Sequence, residues 1–211
     1  MKISILQDNP NGWITPFVLS LIAELEKRGY SVRRYNDYHE FENGWVAFFL
    51  SCEKIVPERY LKKHQHNIVC HPSDLPNGRG FSPLAWQILE GKSDIPITLF
   101  EATHELDAGP YYFKDVIKLQ GHELNDHIKK LQGEKTVEMC LRFIDEYDKL
   151  KLIKQQGAPS YYARRTKASV KLDIYKSIAE QWALLRTADN DRFPAYFEWG
   201  GKKIILKMYE E

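Results

Sequence analysis

Two titratable side chains in this chain have the type and setting for proton transfer. His71 closes a short apolar run, Asn67-Ile68-Val69-Cys70, and is followed by a loop stiffened by Pro72, Pro76, Gly78 and Gly80. Asp107 lies in the loop Thr103-His104-Glu105-Leu106-Asp107-Ala108-Gly109-Pro110, again just after an apolar run. A histidine and a carboxylate that meet make a proton-transfer pair, because the imidazole exchanges a proton near neutral pH while the carboxylate orients it. The pair forms only if both loops reach one edge of a sheet. On residue types alone, both could equally be unrelated loop residues, and a lone loop histidine is often an ordinary surface residue.

The elements that must position them read as alternating strands and helices, which predicts an α/β fold with a doubly wound, mostly parallel sheet. Strands are expected at Lys2 to Leu6, Ser31 to Arg34, Trp45 to Leu50, Asn67 to Cys70, Ile97 to Ala102 and Tyr111 to Leu119. His71 then stands at the carboxyl end of a strand, where open sheets of this kind bind ligands. Pro72 stops that strand, and Ser82-Pro83 is expected to open a helix with Ser82 as its N-cap. An amphipathic helix should run to about Arg28, with Phe17, Leu19, Leu21, Ile22 and Leu25 on its apolar face. A short helix is expected from Pro57 to about His64, and a long one from Leu124 to Leu150, interrupted near Gln132-Gly133. The Gln7–Gly12 loop before the first helix suits an anion, although an ordinary polar loop reads the same way. It lacks the three-glycine spacing of a dinucleotide site, which argues against a nicotinamide cofactor.

Residues 1–154 are read as the main domain and residues 155–211 as a small C-terminal α+β appendage. The break is the stretch Gln155-Gln156-Gly157-Ala158-Pro159-Ser160. The appendage should hold a helix from about Asp173 to Arg186 and a hairpin pairing Ala195 to Trp199 with Lys203 to Met208. The 30 basic and 29 acidic residues leave a net charge of +1, so no overall field draws the chain to nucleic acid or a membrane. The three cysteines, Cys52, Cys70 and Cys140, have no metal or disulfide spacing, and no metal is expected. With no apolar run of transmembrane length and no signal segment, the expectation is a cytoplasmic protein. The final apolar hairpin is a candidate edge for a homodimer.

The motif His71-Pro72-Ser73-x-Leu75-Pro76-x-x-Arg79-Gly80, followed by Pro83 and Ile88-Leu89-x-Gly91, resembles the signature of the 10-formyltetrahydrofolate-dependent formyltransferases. Thr98 and Leu106-Asp107-Ala108-Gly109 resemble the second signature of that family, which includes methionyl-tRNA, glycinamide ribonucleotide and sugar N-formyltransferases. Arg186-Thr187-Ala188, with Phe193-Pro194-Ala195-Tyr196-Phe197, resembles a stretch found after the catalytic domain of the tRNA and sugar enzymes. The resemblance implies the formyltransferase-type fold and a formyl transfer from 10-formyltetrahydrofolate to a primary amine. By match, His71 is the catalytic histidine and Asp107 the carboxylate that orients it. Cys52, Glu53, Lys54 and Ile55 then belong to the segment that cradles the pterin, with His104 and Leu106 in the loop covering its other side. Asn9, Asn11, Ser73 and Arg79 are candidates for contacts with the amine substrate.

One position departs from the family pattern. Two residues before the histidine the family normally carries Asn, whose amide holds the formyl oxygen, and here Val69 offers no donor. Removing such a donor costs about 3–4 kcal/mol of transition-state stabilisation. Asn77 is the preferred replacement, with Ser73 and Asn67 as alternatives. The other outcome is a catalytically impaired protein that keeps the fold and binds folate or a nucleotide.

The near-neutral charge and the short stretch after the linker favour a nucleotide-linked amino sugar, as in surface-polysaccharide biosynthesis, over methionyl-tRNA or another amine. Tyr161, Tyr162 and Arg164-Arg165 could stack on a base and bind a diphosphate, or they could pack the appendage. Arg186 is assigned a structural part and no site role.

Overall fold

A computed structural model describes residues 1–210. The main body runs β1 (Lys2–Leu6), α1 (Thr15–Lys27), β2 (Ser31–Tyr35), β3 (Gly44–Phe49), α2 (Glu58–Leu61), β4 (His64–His71), β5 (Arg79–Gly80), α3 (Pro83–Leu89), β6 (Asp94–Glu101), β7 (Tyr111–Lys118) and α4 (Asn125–Glu146). After it come β8 (Tyr161–Tyr162), α5 (Trp182–Arg186) and the hairpin β9 (Ala195–Trp199) and β10 (Lys202–Leu206).

Six strands form one mixed sheet in the order β2-β1-β3-β4-β6-β7. The half from β2 to β4 is parallel, as expected, whereas β6 runs antiparallel to both β4 and β7. Side chains alternate across the strands, so both faces are buried. Ile3, Ile5, Val46, Phe48, Ile68, Ile97 and Leu99 pack under α1, α3 and α4. Leu6, Tyr35, Ala47 and Phe49 pack on the other face with Phe41, Val56 and Leu61.

Several local expectations are corrected. Helix α4 is unbroken through Gly133, where a Cβ would come within 2.4 Å of the Phe17 ring. Glycine at that position lets α1 and α4 approach closely. Leu19 is 53% exposed, and Val18, Leu21 and Leu25 form the buried stripe of α1. Ser82 precedes α3 with left-handed backbone (φ 51°), and its side chain caps nothing. The expected helix from Asp173 shrinks to α5 at Trp182–Arg186, since Tyr175 and Ile178 face solvent and no packing supports the preceding turns. His64 is the first residue of β4 rather than the end of α2.

The C-terminal segment has its own small core of Val170, Leu185, Ala188, Ala195 and Tyr196. Several contacts fasten it to the main body, two of them prominent. β8 pairs with β5, and the buried Arg186 guanidinium bonds the Glu123 carboxylate at 2.6 Å.

Candidate active site

His71 ends β4 with its side chain 9% exposed, and Nε2 lies 2.8 Å from the Gly78 carbonyl and 3.7 Å from Asp107 Oδ2. The two loops meet by an indirect route. Because β6 is antiparallel, its last residue, Glu101, pairs with Ile68, three positions before His71. The chain must therefore double back through Ala102–Ala108 to bring Asp107 up to the histidine. Asp107 adopts left-handed backbone (φ 50°), which Asp tolerates better than most side chains.

Three bonds hold this arrangement. Asp107 Oδ2 accepts the Gly80 amide at 2.8 Å, while Gln155 Nε2 donates to the carbonyls of Asp107 and Gly109, both at 2.8 Å. Gln155 Oε1 in turn accepts from Arg79 Nη2 at 2.7 Å, so one amide ties the His71 loop to the Asp107 loop. Gly80 has φ +101°, and a Cβ there would fall 2.5 Å from the Tyr162 carbonyl, so the β5–β8 pairing requires glycine.

These residues face a cleft of about 430 Å³, within the range of small-ligand sites. One wall is mainly apolar, with Phe49, Val56, Leu61, Val69 and Phe100, and is bordered by Cys52, Glu53, Lys54 and Ile55. Leu106 joins it from the opposite loop. Asp8 fixes the Cys52–Ile55 segment, its Oδ2 accepting the amides of Glu53 (2.7 Å) and Lys54 (3.1 Å). Burial pushes the Cys52 thiol up to about 12. The sulfur therefore stays protonated and donates to the Leu6 carbonyl at 3.2 Å. The Arg164 guanidinium, with help from Arg192, holds the Glu53 carboxyl below its ordinary value.

The opposite wall is polar. It is built from Asn125, Lys129, Gln132 and Thr136 of α4 together with Arg164, Arg165, Thr187, Asp189 and Arg192.

Several expected residues point elsewhere. Asn77 is exposed and lines a second cavity of about 410 Å³, outside the cleft. Ser73 is buried, and its Oγ has no hydrogen-bond partner beside that same cavity. Asn67 donates its amide to the Leu61 carbonyl at 3.0 Å. None of the three replaces the donor missing at Val69. Arg79 turns to Gln155 and away from the cleft. Asn9 and Asn11 are exposed and make a local turn, Asn9 Oδ1 accepting the Asn11 amide at 3.2 Å. The anticipated anion site in that loop has the Asp8 carboxylate beside it instead. His104 is exposed, its side chain 72% accessible. Tyr162 stacks on Trp86 and donates to Glu90, and Tyr161 is exposed, so neither lines the cleft. Asp8, Gln155 and Asn125 were not anticipated. Asp8 alone carried a signal, standing just beyond the carboxyl end of β1.

Among the described residues, no group of three His, Cys, Asp or Glu side chains could hold a metal ion, and no helix is long and apolar enough to cross a membrane.

The sequence profile of the Formyl transferase family matches residues 26–143, more than half of the chain, and the protein belongs to that family. A methionyl-tRNA formyltransferase of Rickettsia prowazekii is 29% identical over 158 residues, covering 74% of this chain and 52% of the relative. The chain spans about half the length of that relative. Among solved structures, methionyl-tRNA formyltransferase from Clostridium thermocellum matches with TM-score 0.81 at 19% identity, over 98% of this chain and 97% of the other. A sugar N-formyltransferase from Shewanella matches with TM-score 0.74 at 16% identity, over 100% and 98%. HypX from Aquifex aeolicus in complex with tetrahydrofolic acid matches with TM-score 0.81 at 19% identity, over 98% of this chain and 37% of the other. At these identities the structural matches establish the fold.

Proposed function

We propose that the protein moves a formyl group from 10-formyltetrahydrofolate to the amine of a small substrate, with a nucleotide-linked amino sugar as the leading acceptor. The observation that carries this reading is the His71–Asp107 pair, 3.7 Å apart and locked to the Gly80 amide, at the side of a cleft with one apolar and one polar wall. A flat pterin ring suits the slot between Val56, Leu61, Val69, Phe100 and Leu106. The amine then enters from the side of α4 and the arginines.

In the transfer, the amine nitrogen attacks the formyl carbon and must lose a proton as negative charge grows on the formyl oxygen. His71 takes that proton as a neutral imidazole, and as an imidazolium it stabilises the oxyanion. The tetrahedral adduct then collapses with cleavage of the bond from the formyl carbon to N10, and His71 returns the proton to the departing N10 of tetrahydrofolate. Asp107 holds the ring in position. The apolar wall excludes water from the formyl carbon.

The sugar-nucleotide acceptor rests on the cationic wall of the cleft, where Arg165 presents unsatisfied donors. A second acceptor, methionyl-tRNA, is favoured by the 29% identity to the Rickettsia relative. The test is release of tetrahydrofolate from 10-formyltetrahydrofolate by the purified protein, with nucleotide-linked amino sugars and methionyl-tRNA offered separately. Turnover with a sugar nucleotide supports the leading reading. Turnover with methionyl-tRNA alone replaces the acceptor, and no turnover with any amine defeats the proposal.

A further inference from the structure

The polar wall contains buried donors with no acceptor. Arg165 Nη1 donates to the Thr187 carbonyl at 2.9 Å, but Nε and Nη2 are buried and have no hydrogen-bond partner. Those two N–H groups share one edge of the guanidinium plane, the edge that fits two oxygens of a carboxylate or phosphate. The Asn125 side-chain amide, Nδ2, is likewise buried without a partner. Both residues line the same cleft.

The nearby acidic groups are already engaged. Asp189 takes Lys129 Nζ on Oδ2 at 2.7 Å and the amides of Asp191 and Arg192 on Oδ1, both at 3.0 Å. Glu53 is shared between Arg164 (2.7 Å) and Arg192 (3.3 Å). Lys129 stands one helical turn beyond Asn125 on the same face of α4, so the Asp189 pair seats the region around the free donors. Leaving three N–H donors desolvated and unpaired is costly, and buried polar groups in folded proteins are nearly always satisfied.

We infer that Arg165 and Asn125 form an anion subsite of the cleft, with Arg165 gripping two oxygens of a bound phosphate or carboxylate and Asn125 donating to the same ligand. The inference rests on the proposed transfer reaction only for the ligand's source. The anion is a phosphate of the amine substrate, as in a nucleoside diphosphate, or the glutamate carboxylate of the folate.

The test measures binding of inorganic pyrophosphate, of 5-formyltetrahydrofolate and of pteroate, which lacks the glutamate, to the whole protein and to Arg165→Gln, Arg165→Lys and Asn125→Ala. Circular dichroism checks the fold of each variant. If the anion belongs to the acceptor, Arg165→Gln weakens pyrophosphate about tenfold to a hundredfold and leaves the folate unchanged. If it belongs to the donor, the same variant weakens 5-formyltetrahydrofolate and not pteroate. In either case Arg165→Lys recovers only part of the affinity, because lysine keeps the charge and loses the two-pronged edge. The subsite is overturned if folded Arg165→Gln and Asn125→Ala bind all three probes as the unaltered protein does. That result, alongside normal tetrahydrofolate release, leaves the transfer reaction standing. Pyrophosphate held at Arg165 without any formyl transfer defeats the reaction and keeps the subsite.

Discussion

The two ends of β4 carry buried histidines in contrasting settings. His64, at the start, is 6% exposed, meets Ser4 Oγ at 2.7 Å and packs edge-on against the Phe41 ring. Burial lowers its pKa from 6.5 to about 4, and no carboxylate pairs with it among the described residues. His71, at the finish, is equally enclosed but meets a carbonyl, a carboxylate and an open cleft. Burial alone therefore does not mark a functional histidine. What differs is the partner and the access: one ring is a neutral core group, while the other can exchange a proton with something that enters.

Substitutions sharpen this contrast. The largest effect is expected for His71→Ala, which should lower formyl transfer by about a thousandfold, measured on protein that circular dichroism shows to be folded. Asp107→Asn keeps the size of the side chain and weakens both the grip on Gly80 and the charge beside the imidazole. Its transfer rate should fall about a hundredfold, measured by tetrahydrofolate release.

His64→Leu is predicted to do the reverse. It leaves transfer intact and costs about 1–3 kcal/mol of stability at neutral pH, because Ser4 Oγ loses its partner. The same variant has a pH signature. With a folded pKa near 4 against 6.5, the unfolded chain binds the proton first, so stability falls as pH drops from 6.5 toward 4. The His64 share of that loss is roughly 3 kcal/mol at its limit, and it should vanish from denaturant titrations of His64→Leu. An unchanged pH slope in that variant would break the comparison at its first end.

The smallest effect is a gain. Val69→Asn places an amide donor two residues before His71, in the lining of the cleft. It should raise the transfer rate about tenfold, less than the loss seen when an oxyanion donor is removed, because the surrounding wall is apolar.

The contrast between these ends also shows how much was legible in the residues themselves. Lys2–Leu6 and the Gly200-Gly201 hairpin were readable because apolar alternation and turn glycines are local signals. The reversal of β6 was not, since a buried strand shows the same apolar run whichever way it points. His71 and Asp107 could be picked out because each stands between an apolar run and chain breakers. The roles expected of Asn77, Ser73, Arg79 and His104 failed on side-chain direction, which loop composition does not encode. Gln155 read as linker and became a clasp, because its partners Asp107 and Gly109 lie more than forty positions away. The free edge of Arg165 is visible only once Thr187 and Asp189 are seen to surround it.

The most direct test of the account is single-turnover formyl transfer from 10-formyltetrahydrofolate to a nucleotide-linked amino sugar, run side by side for His71→Ala and His64→Leu. The expected result is a rate near the unaltered protein's for His64→Leu and a collapse of about a thousandfold for His71→Ala. Equal rates in the unaltered protein and a folded His71→Ala would contradict it.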